Sequence, residues 1–214
     1  MSTTVDPTGP TLLHVDAHLV VADKPSGLLS VPGRGEHLQD CLATRVQATF
    51  ADALVVHRLD MATSGLMLFA RGPEVQRALS RAFELRTVHK RYVAVVHGRL
   101  ASEHGEIDLP LMADWPNRPL QKVDRVHGRP SLTRYRVTGL EADRTRLELE
   151  PVTGRAHQLR VHLLAIGHPI LGDALYAPPE ARAAAQRLLL HAARLRFEHP
   201  VSGATVTFES AAPF

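Results

Sequence analysis

The nine residues 57–65, reading HRLDMATSG, constrain this chain more than any other stretch. One carboxylate, Asp60, follows a short basic-apolar lead of His57, Arg58 and Leu59. The turn formers Thr63, Ser64 and Gly65 separate it from the apolar run 66–70. A turn set directly against a strand exposes a side chain at a sheet edge while rigid backbone holds it still, which suits a functional group. A lone Asp with an Arg nearby can be a nucleophile that needs neither metal nor cofactor.

The rest of the chain bounds what that turn can belong to. With 214 residues, 44% hydrophobic and 22% charged, the sequence can bury a sizeable core and is not that of a disordered protein. Its apolar runs, such as 66–70 and 161–166, are far too short to span a bilayer. The opening MSTTVDPTGP lacks a basic-then-apolar signal, so a cytoplasmic location is expected. Cys41 is the only cysteine; it excludes an intrachain disulfide and reads as a small buried hydrophobe. Residues 1–10 read as a flexible leader and 11–214 as a single domain.

The net charge is only +3, but it is unevenly spread. Residues 76–99 carry Arg77, Arg81, Arg86, Lys90, Arg91 and Arg99 against Glu84 alone. Residues 115–136 carry Arg118, Lys122, Arg125, Arg129, Arg134 and Arg136 against Asp124 alone. One such cluster is an ordinary solvated face; two, one of them in a Pro/Gly/Asn-rich segment, point to RNA or DNA.

Periodicity supplies the elements. Residues 12–22 are β-like, and 38–50 read as a helix with Leu38, Leu42, Val46 and Phe50 on one stripe. Residues 66–70 form a strand, and Pro73 begins a helix with Val75, Leu79 and Phe83 inward and Arg77 and Arg81 outward. A strand follows at 91–96, then long excursions over 101–130 with Pro110, Pro116, Pro119 and Pro130. Residues 131–137 and 146–150 read as paired strands about a turn near Ala142. A helix over 154–166, carrying both Arg155 and Arg160, ends at Gly167. A turn-rich stretch 170–176, an Ala-rich helix near 179–187 and a β-like end complete an α+β or mixed α/β domain.

Several chemistries fail on a missing partner. His14 and His18 lie in a β-like region where a spacing of four does not converge. His157 and His162 stand about 140° apart around a helix, and no HExxH motif is present, so no metal site is expected. Gly33-Arg34-Gly35 lacks the rest of a nucleotide loop. HRLD is followed by Gly65 where a kinase loop needs Asn, and Ser64 lies outside a GxSxG elbow. Asp60 is left with Tyr92 on a strand and Arg160 on a helix. Spacing alone does not bring the three together, and a nucleophilic enzyme, an RNA-binding module and a carboxylate-based nucleosidase all stay open.

The motifs DKPSGLLSVPGRG, HRLDMATSGLMLFA, KRYVAVVHG, GRAHQLRVHLLAIGHPILGDALY and RLLLHA resemble, in order, those of the RluA family of RNA pseudouridine synthases. The resemblance runs from about Asp16 to Pro200. It implies the pseudouridine synthase fold, a mixed, largely antiparallel β-sheet with peripheral helices and a central catalytic cleft, without an S4-like RNA-binding domain. It implies Asp60 as the nucleophile, Tyr92 as the residue that stacks on the target base, and Arg160 as the partner of Asp60. Leu159 would line the site and Arg58 would enter the space left by the flipped base, with no cofactor and no metal. Residues 114–122, DWPNRPLQK, resemble the dual-specificity members, which act on a tRNA anticodon stem-loop and a hairpin of 23S rRNA. Arg118 and Lys122 would then grip phosphate on an RNA-pinching loop, and no membrane or obligatory protein partner is expected.

Overall fold

The computed structural model describes residues 9–214; most of the leader, residues 1–8, lies outside the described residues. In chain order the elements are β1 (Thr11–Val15), β2 (Leu19–Lys24), α1 (Leu42–Gln47), β3 (Ala53–Val55), β4 (Ser64–Arg71), α2 (Pro73–Glu84), β5 (His89–His97), β6 (His104–Asp108), β7 (Leu111–Ala113), β8 (Gln121–Val123), β9 (Leu132–Glu141), β10 (Arg144–Pro151), α3 (Gln158–Ala165), α4 (Pro179–Ala183), β11 (Leu190–Glu198) and β12 (Thr205–Glu209). They fall into two compact units. The first holds residues up to Val88 together with Leu195–Ser210; the second holds His89–Arg194 and Ala211–Phe214.

In the first unit the strands run β1-β2-β4-β11, with β3 also on β4 and β12 on β11. β2 and β4 pair antiparallel from Leu19 opposite Ala70 to Lys24 opposite Gly65. Alternate residues of a strand point to opposite faces. Leu19, Val21, Leu66, Leu68 and Ala70 accordingly pack with Val75 and Leu79 of α2, while Val20, Ala22, Met67 and Phe69 pack with Leu42, Ala43 and Val46 of α1. Burial on both faces explains why 66–70 is continuously apolar rather than alternating. The β-like stretch 12–22 is a hairpin, its turn closed by Asp16, whose Oδ1 accepts from the backbone of His18 and Leu19, both at 2.7 Å.

Helix α1 is shorter than its apolar stripe predicts, because a cap decides its start. Cys41 is extended, not helical, and its Sγ accepts from the Thr44 backbone at 3.4 Å. Leu38 lies in a separate 3-10 turn, and Phe50 lies beyond the helix end. Cys41 is buried, as expected, but as a cap. Helix α2 matches its reading: Val75 and Leu79 are buried and Arg77 and Arg81 exposed.

In the second unit the order is β11-β5-β10-β9-β6, with β7 and β8 as a separate hairpin. The β9–β10 pair and the β5 strand match their predictions. The excursion over 101–130 is more ordered than its prolines suggest. It contains edge strand β6, paired with β9 from His104 opposite Arg136 to Asp108 opposite Leu132, as well as the β7–β8 hairpin. Helix α3 starts at Gln158, so Arg155 is not helical. It is buried on every side from Gln158 to Leu163, beyond the single stripe of Leu159 and Leu163. Helix α4 ends at Ala183, four residues short of its predicted end. Among the described residues no helix is long and apolar enough to cross a membrane.

Candidate active site

The Asp60 turn has almost no backbone freedom. Four consecutive carbonyls in it accept hydrogen bonds. Leu59 O takes one from Ser30 Oγ at 2.7 Å, Asp60 O from Thr63 N at 3.0 Å, Met61 O from Gly27 N at 2.8 Å and Lys24 Nζ at 3.0 Å, and Ala62 O from Ser26 Oγ at 2.7 Å. Ser30 Oγ also accepts from Leu59 N at 3.0 Å, gripping both polar groups of one residue. Three of these donors, with Lys24, come from the DKPSGLLS segment, whose residue types by themselves indicate only a turn. Gly27 reaches Met61 from a φ of 88°, a conformation that a side chain disfavours.

Lys24 is fully buried. An ammonium is tolerated there because its donors meet carbonyl oxygens of Pro25, Leu28 and Met61 at 2.9, 2.6 and 3.0 Å. At the start of the turn, His57 Nε2 accepts from Leu68 N at 2.9 Å, and its ring stacks on Phe83 with centroids 4.7 Å apart. Asp60 itself is half-buried. Arg58 is exposed, and its side chain makes no hydrogen bond or ion pair with another described residue. The turn thus presents a fixed carboxylate two residues from a cation that reaches solvent.

The second unit positions the other expected residues. Tyr92 is half-buried on β5, opposite Leu149 of β10. Leu159 and Arg160 are both buried on α3. Arg160 donates through Nε and Nη2 to the two oxygens of Asp173 at 2.8 and 2.7 Å, a bidentate pair with both side chains buried. Asp173 Oδ1 also accepts from Leu175 N and Tyr176 N at 2.9 and 3.2 Å. Below the guanidinium, 5.0 Å from its carbon, lies the ring of Tyr176. The Tyr176 hydroxyl accepts from Gln121 N at 2.8 Å and lies 2.6 Å from His157 Nδ1.

Sequence reasoning missed Asp173 and Tyr176 as functional partners. Their signal is the Gly-Asp pair followed by an aromatic in 170–176, which reads locally as a turn. His162 is a core histidine: fully buried, it bonds Thr133 Oγ1 at 2.9 Å and Leu109 O at 3.0 Å. Burial is the main cause that pushes its pKa below the ordinary histidine value.

The basic excess divides in two. Arg91 and Arg136 both pair with Glu148, at 3.3 and 3.2 Å, and Arg134 pairs with Glu106 at 2.8 Å. These are cross-strand pairs of outward-facing residues, so that part of the excess is internal to the sheet. Arg118, Arg125 and Arg129 have no acidic partner among the described residues, and Lys122 lies 3.9 Å from Asp114. Arg118 stacks on Trp115, its guanidinium carbon 3.5 Å from the ring centre.

The family model for RNA pseudouridylate synthases matches residues 18–165, more than half of the chain. The chain belongs to this family. This pseudouridine synthase, an isomerase, acts on RNA. It is 53% identical over 204 residues to the dual-specificity RNA pseudouridine synthase RluA of Escherichia coli (strain K12), covering 95% of this chain and 93% of that protein. The Yersinia pestis protein of the same name is 52% identical, with 95% and 99% covered. Among solved structures, human RNA pseudouridylate synthase domain containing 1 superposes with a TM-score of 0.80 at 26% identity, over 98% of this chain and 87% of that one. The mixed, largely antiparallel sheet of this synthase is the fold of that family.

Proposed function

We propose that this synthase isomerises a uridine in a tRNA anticodon stem-loop and another in a hairpin of 23S rRNA, in the cytoplasm, with residues 11–214 as one catalytic domain. Support comes from relatives named as dual-specificity enzymes at 52–53% identity over nearly the whole chain. Asp60 is the nucleophile in the reaction that breaks the N1–C1′ glycosidic bond. The uracil ring turns and rejoins C1′ through C5; the C5 proton is lost and N1 gains one, so no external oxidant or energy source is needed. Tyr92 stacks on the base, Arg160 is the partner of Asp60, and Leu159 lines the site. A nucleotide must leave its stack for this chemistry, at about a few kcal/mol, and less in a loop. Arg58, planar and cationic, fills the space it leaves, and Arg118 and Lys122 hold phosphates.

The observation that carries the reading is the four-carbonyl brace around Asp60. A nucleophile must be held within a fraction of an ångström of its target, and that turn can do so. Tritium release from 5-labelled uridine in tRNA and rRNA transcripts tests it. Wild type is expected to release tritium without freeing uracil, and Asp60→Asn to bind RNA without release. Free uracil would indicate a nucleosidase; no release by wild type, or full release by Asp60→Asn, would overturn the assignment.

A further inference from the structure

The segment between β7 and β8 is a rigid crown that displays the only tryptophan of the chain. Asp114 N bonds Leu120 O at 2.9 Å, Asn117 N bonds Asp114 O at 2.9 Å, and Leu120 N bonds Asn117 O at 3.0 Å. Asn117 Nδ2 adds a bond to Asp114 Oδ2 at 2.8 Å, and Pro116 and Pro119 restrict the backbone further. At its base, Gln121 N is tied to the Tyr176 hydroxyl. Nothing about this crown is built to bury Trp115, which is 63% exposed.

A tryptophan carries a large apolar surface that proteins usually cover. Here one face of the indole is covered by the Arg118 guanidinium, and no other ring contact involves it among the described residues. The stack fixes the indole and brings a positive charge behind it. Arg118 has no acidic partner among the described residues, and Lys122, opposite Met112 on β8, meets only Asp114, at 3.9 Å. A flat π-face within a cationic field fits an unpaired nucleobase: every base offers a π-face, and its flanking phosphates meet the cations.

We propose that Trp115 is a nucleobase-stacking subsite for an unpaired base of the RNA substrate, with Arg118 closing an Arg–Trp–base stack. The proposal rests on the stem-loop substrate reading. Arg118 then acts in two ways at once, its guanidinium face backing the indole while its in-plane N–H edge stays available to phosphate. Such a subsite favours loops over duplexes, whose bases are already stacked on each other.

Because Trp115 is the only tryptophan, its fluorescence reports the subsite directly. An anticodon stem-loop transcript with 5-tritiated uridine is titrated, with a fully paired duplex of the same length as control. Quenching is expected with the stem-loop and not with the duplex. Trp115→Ala should weaken stem-loop binding by about 5- to 150-fold, the span of one lost base–aromatic stack, and leave the salt slope unchanged. Trp115→Phe should keep most of the affinity. Wild-type release of tritium with no quenching, or with unaltered binding by Trp115→Ala, overturns the subsite alone. A flattened salt slope in Trp115→Ala would also overturn it, by showing a phosphate contact instead. No release by wild type overturns the substrate reading, and the subsite with it.

Discussion

Removing the carboxylate of Asp173 should cost a large part of the stability of the fold. The side chains of Arg160 and Asp173 are 4% and 1% exposed, and two charge-assisted hydrogen bonds of 2.8 and 2.7 Å join them. Asp173→Ala leaves a buried guanidinium without its bidentate partner, a loss on the order of 3–5 kcal/mol. It also releases the backbone N–H groups of Leu175 and Tyr176, each bond contributing about 1 kcal/mol. Partial overlap of the two effects puts the total near 5 kcal/mol, against a stability of roughly 5–15 kcal/mol for a folded domain. At a urea m-value of about 2.5 kcal/mol/M, the unfolding midpoint should fall by about 2 M. The double variant Arg160→Met with Asp173→Leu replaces the pair by apolar groups. It should recover about 3 kcal/mol, because the desolvated charge is gone. It should nevertheless stay inactive in the tritium assay, since the cation assigned to Asp60 is missing. A midpoint shift below about 0.5 M for Asp173→Ala would show that the buried pair contributes little to the fold, as would a double variant no more stable than the single.

Two further outcomes follow from the first unit. Lys24→Met should cost about 2–4 kcal/mol by leaving three carbonyls without the ammonium, and kcat for tritium release should fall while RNA affinity holds; an unchanged kcat would separate Lys24 from the Asp60 turn. Asp16 has its pKa lowered to about 2: burial raises it, but the hydrogen bonds from His14 and from the backbone of His18 and Leu19 outweigh burial. With the folded value below the unfolded one, its stabilisation is present above about pH 4 and is lost as pH falls toward 2. Because the carboxylate is a third exposed, that contribution is on the order of 1 kcal/mol after solvent screening. The gap in urea midpoint between wild type and Asp16→Asn should therefore be smaller at about pH 3 than at about pH 6; an equal gap at both would count against it.

Elements whose apolar spacing agrees with their packing were legible in the sequence. Helix α2 has a Pro at its start and a single buried stripe, and β4 is buried on both faces, so 66–70 reads as a strand without its neighbours. The helix starts of α1 and α3 were not legible. Side-chain spacing extends a stripe past the point where a cap ends it. Cys41 is extended, and His157 is left-handed with a φ of 53° just before α3. Strand β6 escaped because His104, Gly105, Glu106 and Asp108 surround a single buried residue, Ile107, and the ladder partner of Glu106 lies 28 residues away at Arg134.

Residue types and their order along the chain already carry the chemical groups: an Asp beside an Arg on a turn, a strand Tyr, a helix Arg, and a family resemblance running through all of them. What holds those groups in place emerges in the folded chain alone. Lys24, Ser26 and Ser30 reach the Asp60 turn across 29 to 37 residues, and Asp173 reaches Arg160 across 13. Periodicity registers neighbours within about one helical turn or two strand residues. Hydrogen bonds between distant backbone and buried side chains leave no such period. The turn HRLDMATSG is therefore visible as a sequence, while its rigidity is a property of the fold.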